Sequence, residues 1–148
     1  MTDIALKQLD SGIFDIEIAD GDLLSDNGMR TAVVLSLFTD RVADSDDVIP
    51  DGSDNRRGWW ADAYNDDGDI IGSRLWILGR EKQTDRTLER AAEYADEALN
   101  WLLKDGVARS VSHTASWSSE GMLVLVTTIE RSDNSTFRAA FEVSLEAL

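Results

Sequence analysis

Apolar and polar residues alternate through Phe14-Asp15-Ile16-Glu17-Ile18-Ala19, the period-two signature of a half-buried strand. Asp20-Gly21 reads as a tight turn and Asp22-Leu23-Leu24 as the returning strand, with Asn27-Gly28 closing this hairpin region. From Met29 to Phe38 the period lengthens. Val33, Val34, Leu37 and Phe38 fall on one side of a helix. Three of those ten residues are β-branched, so burial rather than propensity must hold the helix.

Residues 39–72 carry no long periodicity and are punctuated by Pro50, Gly52, Gly58 and Gly68. A loop of this length in a compact domain is usually functional or partly disordered. Asp66-Asp67-Gly68-Asp69 has the composition of a hairpin turn between short runs at 61–64 and 70–71. Residues 73–79 suit a short helix carrying Leu75, Trp76 and Leu78. The longest element follows, with Thr84 as N-cap and Asp85 just inside. Leu88, Ala91, Ala92, Ala95, Ala98, Leu99 and Leu102 form an apolar stripe at helical period, and Gly106 is placed to end the helix in the left-handed conformation.

The last third reads as strand throughout. Val107, Val111, Ala115 and Trp117 oppose Ser110, Ser112, Thr114 and Ser116. Residues 122–131 begin apolar on both faces, as a central strand does. Phe137, Ala139, Phe141, Val143 and Leu145 alternate with polar positions, and Asp133-Asn134-Ser135 turns between these two strands. The expected fold class is α+β: an N-terminal β-hairpin, two to three helices and a C-terminal three-stranded antiparallel meander. Residues 1–148 are expected to form one domain, with a long acidic loop at about 39–72.

Composition narrows the function classes. The formal net charge is −15, which opposes binding to DNA or anionic lipid, so neither nucleic acid nor membrane is expected as a partner. With no cysteine, disulfides and thiolate metal sites are excluded and an intracellular life fits. The N-terminus has no basic region followed by an apolar run, and no segment approaches the ~20 apolar residues that cross a bilayer.

Candidate chemistry is thin. His113 is the one histidine, and on the apolar-rich face of a strand a structural role suits it better than that of a general base: Ser112 and Thr114 point the opposite way. Paired carboxylates carry no information among 29 acids. An EF-hand reading of the aspartate runs fails, because aligning Gly68 to the sixth position puts Ala63 first and Arg74 twelfth. The glycine-rich phosphate loops are absent. Arg74, Arg80, Lys82, Arg86 and Arg90 make a local basic run, better read as pairing with Glu81, Glu89 and Glu93 than as a nucleic-acid site. No cofactor is expected.

One segment stands apart. Between Asp40 and Asp69 there are ten aspartates and three basic residues, and two of the three are Arg56 and Arg57, directly before Gly58-Trp59-Trp60. A solvated loop has no need of two adjacent indoles. Either they plug this protein's own core or they anchor a partner; Trp and Arg are the residue types most enriched at interface hot spots. Adjacent residues of an extended chain face opposite ways, so one ring in each role reconciles the two.

The order Asn55-Arg56-Arg57-Gly58-Trp59-Trp60-Ala61-Asp62, then Gly72-Ser73-Arg74-Leu75-Trp76, then a helix ending Glu97-Ala98-Leu99-Asn100-Trp101-Leu102-Leu103-Lys104-Asp105-Gly106, resembles the Mu-type baseplate proteins of contractile phage tails and prophages over nearly the whole chain. Ala61 departs from the family pattern, where glycine is more usual. The family is similar to the wedge component of T4-type baseplates. The resemblance implies a virion structural protein of the tail baseplate, assembled in the host cytoplasm. It implies several copies around the tail hub, in contact with other wedge proteins and the tail sheath. The residues expected to meet partners are Arg56, Arg57, Gly58, Trp59 and Trp60, with Phe137 and Phe141 on a C-terminal strand whose edge suits strand addition. Competing readings from other classes are a lysozyme-like hydrolase, for which no supporting residues are found, and a small host-protein-binding adaptor domain.

Overall fold

The computed structural model of the chain describes residues 2–8, 14–20, 26–58 and 72–148. The alternation around Phe14 forms β2 (Phe14–Asp20), and its antiparallel partner lies upstream, in β1 (Thr2–Gln8), with Thr2 opposite Asp20 and Gln8 opposite Phe14. The hairpin is therefore one strand earlier than expected: Asp20 belongs to the ladder rather than to a turn, and the return over 22–24 lies outside the described residues.

Helix α1 (Asp26–Phe38) takes in Asn27-Gly28, which the sequence suggested as the end of the hairpin region. The first turn of a helix has no intrahelical N–H partners to satisfy, so a weak dipeptide costs little there. Met29, Val33, Val34 and Leu37 are fully buried on its inner face. Their burial stabilises a helix that its own propensity does not.

Arg74–Arg80 is a 3-10 helix, opened by Ser73, whose Oγ accepts from Leu75 N at 3.3 Å and donates to Leu37 O. Four successive residues, Leu75, Trp76, Ile77 and Leu78, are buried in it. Leu75 and Leu78 belong to the main core, while Trp76 and Ile77 pack with Ala43 and Ile49 in a second cluster under the acidic loop. This one turn-rich segment joins the two.

Helix α2 (Asp85–Lys104) is capped by Thr84, whose Oγ1 accepts from Thr87 N. Ala91, Ala95, Ala98, Leu99 and Leu102 are buried as the stripe requires, with Tyr94 added to it. At the far end Gly106 N–H donates to Leu103 O and Val107 N–H to Leu102 O, with Gly106 at φ 73°. This is the double-bonded glycine cap expected of a helix ending in Asp-Gly.

The meander is β3 (Ala108–Ser119), β4 (Met122–Arg131) and β5 (Thr136–Ser144), antiparallel, with β4 central. The turn between β4 and β5 places Asn134 at φ 72°, a conformation asparagine tolerates, and Asp133 accepts from Ser135 N. Leu123, Leu125 and Ile129 of β4 and Phe137, Phe141 and Val143 of β5 meet α1 and α2 in one core, with Phe38 edge-on to Phe141 at 5.8 Å. The other face of the sheet carries Ser110, Ser112, Thr114 and Ser116 of β3 and Arg138 and Glu142 of β5, all exposed. Among the described residues no helix is long and apolar enough to cross a membrane.

Candidate functional site

The acidic loop is held by arginines. It leaves α1 through a two-bond hook: Ser73 N–H donates to Thr39 O and Arg41 N–H to Ser73 O, each at 2.9 Å. Gly72 makes the approach possible, at φ 94° and with no Cβ to meet the Thr39 carbonyl. The chain then runs out through Asp44 and Asp47, turns at Pro50 and Gly52, and returns so that Arg56 O accepts from Ala43 N at 2.9 Å.

Each arginine has a distinct task. Arg56 donates to the backbone carbonyls of Asp44 and Ser45, tying the outgoing and returning limbs together. Arg57 pairs with Asp40 at 3.0 Å, and its guanidinium carbon lies 4.6 Å from the centroid of the Trp76 ring. Arg57 and Gly58 both have positive φ, 53° and 104°, and Arg57 N–H donates to Asn55 Oδ1 at 3.0 Å. Two left-handed residues in succession turn the chain sharply before residue 59. Beneath them Trp76 is buried and its Nε1–H donates to Arg41 O at 2.7 Å.

Arg74 is the hub. Nε and Nη2 grip both oxygens of Glu97 at 2.9 and 3.0 Å, while Nη1 reaches both oxygens of Asp47 and, at 3.1 Å, Asp44. Its guanidinium carbon also sits 4.6 Å from the Tyr94 ring centroid. Burial disfavours its charge, but the hydrogen bonds to Glu97 and Asp47 outweigh that and raise its pKa further. Arg41 approaches the same Glu97 at 3.5 Å. Of the pairings expected of the basic run with Glu81, Glu89 and Glu93, the structure forms two, Arg90 with Glu81 and Arg86 with Glu89. Arg74 instead serves the acidic loop and α2. Nothing in the local sequence spacing signals that, because its partners lie 23 and 27 positions away.

A groove of about 220 Å³ lies beside this latch. Ile49, Pro50, Trp76 and Leu148 supply apolar wall, and Arg57, Arg80, Asp51 and Glu146 the rim. Ser53 donates to Asp51 from both hydroxyl and backbone and holds its carboxyl below the usual range.

Of the residues singled out in the sequence, Arg56, Arg57 and Gly58 come together at this latch, and Trp59 and Trp60 lie outside the described residues. Phe137 and Phe141 are core residues rather than surface ones, because the inward face of β5 is covered by the helices. What β5 can present is its outer edge and the exposed Arg138, Ala140 and Glu142.

His113 has a partner that local spacing hides. Its Nδ1 lies 2.9 Å from Thr127 Oγ1 on β4, and its Nε2 lies 3.4 Å from Asp96 on α2. Carboxylate, imidazole and hydroxyl thus stand in series, but Thr127 is fully buried and no substrate can reach its oxygen. Burial pushes the imidazole pKa below its ordinary value, against the pull of Asp96. The arrangement suits a neutral histidine held by Thr127 within the sheet, its Nε2 making no hydrogen bond to Asp96.

A family model described as phage protein GP46 matches residues 29–136. The chain is 46% identical over 145 residues to the baseplate protein gp46 of Escherichia phage Mu, covering 95% of this chain and 98% of that one. It is 38% identical over 144 residues to the Mu-like prophage FluMu protein gp46 of Haemophilus influenzae, covering 97% and 98%.

Proposed function

We propose a structural role in the baseplate of a contractile phage tail, from the premise that this chain belongs to the GP46 phage protein family, a Mu-like baseplate family. The observation that carries the proposal is similarity over almost the full length of both chains to a protein named for the baseplate of phage Mu. On this reading the protein resides in the tail baseplate of the virion, is assembled in the host cytoplasm, works by protein–protein contact and catalyses nothing. Several copies surround the tail hub, each joined to other wedge proteins and to the sheath.

The latch supports that reading physically. An acidic loop closed by Arg56, Arg57 and Arg74 fixes the chain as far as Gly58, and a fixed point lowers the ordering cost of an interface. We assign partner contact to Arg56, Arg57, Gly58, Trp59 and Trp60, and to the outer edge of β5, which Phe137 and Phe141 hold from behind. The hydrolase reading finds no support in a histidine whose hydroxyl neighbour is sealed in the core.

The test is complementation of a Mu-type phage whose own baseplate gene is deleted. The chain, epitope-tagged, should restore contractile tails and appear at the baseplate end by immunogold microscopy. Tails that assemble without it, or label elsewhere on the virion, sink the proposal. Clearing of peptidoglycan by the purified protein would return the hydrolase reading.

A further inference from the structure

The acidic loop has a small core of its own. Ala43 and Ile49 pack with Trp76 and Ile77 of the 3-10 helix, in a cluster separate from the one that joins α1, α2 and the sheet. Its backbone bonds are also its own. Within 42–57, Ala43 N–H donates to Arg56 O, Asp44 N–H to Asp47 Oδ2, Asp47 N–H to Asp44 O and Gly52 N–H to Ile49 O, and Arg56 reaches the carbonyls of Asp44 and Ser45. Among the described residues two ionic ties leave this limb. Arg57 meets Asp40 and the Trp76 ring at its root, and Arg74 holds Asp44 and Asp47 farther out. The rest faces water, with Val48 81% exposed and residues 51–55 all exposed.

We propose that residues 42–56 are a strap that opens as a unit while the rest of the protein stays folded, parting Ala43 and Ile49 from Trp76 and Ile77. A loop closed at its root and bonded within itself can move without giving up its own structure. Arg74 is the gate, and its geometry lowers the cost of opening. Nε and Nη2 remain on Glu97 when Nη1 releases Asp47, so no guanidinium is left unpaired, and the freed carboxylates pass into water. Leu75 and Leu78 keep the 3-10 helix seated in the main core, so Trp76 and Ile77 stay in place as the strap lifts. The strap carries Arg56 and leads directly to Arg57 and Gly58, so its opening governs whether these residues stand in position for a partner. The opening itself rests on these contacts and not on the baseplate reading, and either can fail alone.

Thiol labelling tests it, since the chain has no cysteine of its own. Ala43→Cys and Ala139→Cys place single thiols at alanines that are each 7% exposed, one under the strap and one in the main core. With rates normalised to the same variants unfolded in urea, the thiol at position 43 should label more than about 100-fold faster than the one at 139 in native buffer. Asp47→Asn removes the charge that the gate holds. It should speed labelling at 43 by about tenfold or more and leave 139 unchanged. Thermal melts establish folding, and Ile49→Cys or Ala98→Cys replaces whichever alanine variant does not fold. Equal rates at 43 and 139 overturn the proposal, as does an Asp47→Asn effect that is absent at 43 or equal at both positions.

Discussion

The Arg57 guanidinium carbon lies 4.6 Å from the centroid of the Trp76 ring. The same group pairs with Asp40, so one side chain closes the end of the acidic loop against both its beginning and the 3-10 helix beneath. A planar cation is suited to this double duty, stacking with its face and bonding with its rim.

Arg57→Lys keeps the charge and loses the stacked plane. It should cost about 1 kcal/mol of stability, and it should speed proteolysis within 39–58 more than it lowers the melting temperature. Equal effects on loop and whole protein would show that the stack is not a local latch.

Arg74→Lys is the harsher change. One ammonium cannot grip Glu97 bidentately and hold Asp47 as well. The loss should approach about 3 kcal/mol, the lower end for breaking a buried charged pair, since Glu97 keeps some solvent. Hydrogen exchange should rise at the amides of Ala43 and Asp47, which are bonded within the loop, and stay unchanged in β4. Uniform acceleration across the sheet would mean that Arg74 supports the whole core instead.

Much of this fold is legible from local pattern. The α2 stripe, its Thr84 cap and Gly106 stop, and the alternation of β4 and β5 all follow from periods and end residues within a few positions of one another. What the pattern hides is pairing at long range. Ile4-Ala5-Leu6 is as good a strand partner for Phe14–Asp20 as the segment after it, and only the fold decides between them. Arg74 looks like a member of a basic run because its carboxylates are far away in sequence. Phe137 and Phe141 announce a strand face but not which side the helices cover. Arg56 and Arg57 were conspicuous by contrast with their acidic neighbours, and that contrast is a tertiary signal written locally.

Two glycines should respond very differently to alanine. A Cβ at Gly72 would fall 2.2 Å from the Thr39 carbonyl oxygen, which is backbone and cannot yield without breaking the hook to Ser73. Gly72→Ala should cost more than about 3 kcal/mol. Gly52 has a positive φ but open space around it, so Gly52→Ala should cost only about 1 kcal/mol. Denaturant midpoints measure both. Equal costs would show that φ, not the close approach, governs these sites.

Trp59→Ala and Trp60→Ala test the assembly role assigned to the latch. At least one of the two should leave a folded protein that restores fewer tails in complementation. A fully buried indole lost to alanine costs about 3–5 kcal/mol. If both variants lose that much and neither folds, the indoles serve the core and the partner assignment fails.

The pH response of stability should carry the mark of His113. Burial lowers its folded-state pKa below the ordinary 6.5, with Asp96 opposing. Well above pH 6.5 the imidazole is neutral in both states and contributes no pH dependence. As pH falls below that value the unfolded chain takes up a proton that the folded one resists. Stability therefore declines through this window and the decline ends once the folded imidazole also protonates. His113→Gln can still reach Thr127 but cannot titrate. Between pH 7.5 and 5.5 the variant should lose less melting temperature than the parent, though its stability at pH 7.5 is lower from imperfect packing against α2. Parallel curves would mean that Asp96 compensates the burial fully, and that the histidine titrates alike in the folded and unfolded chains.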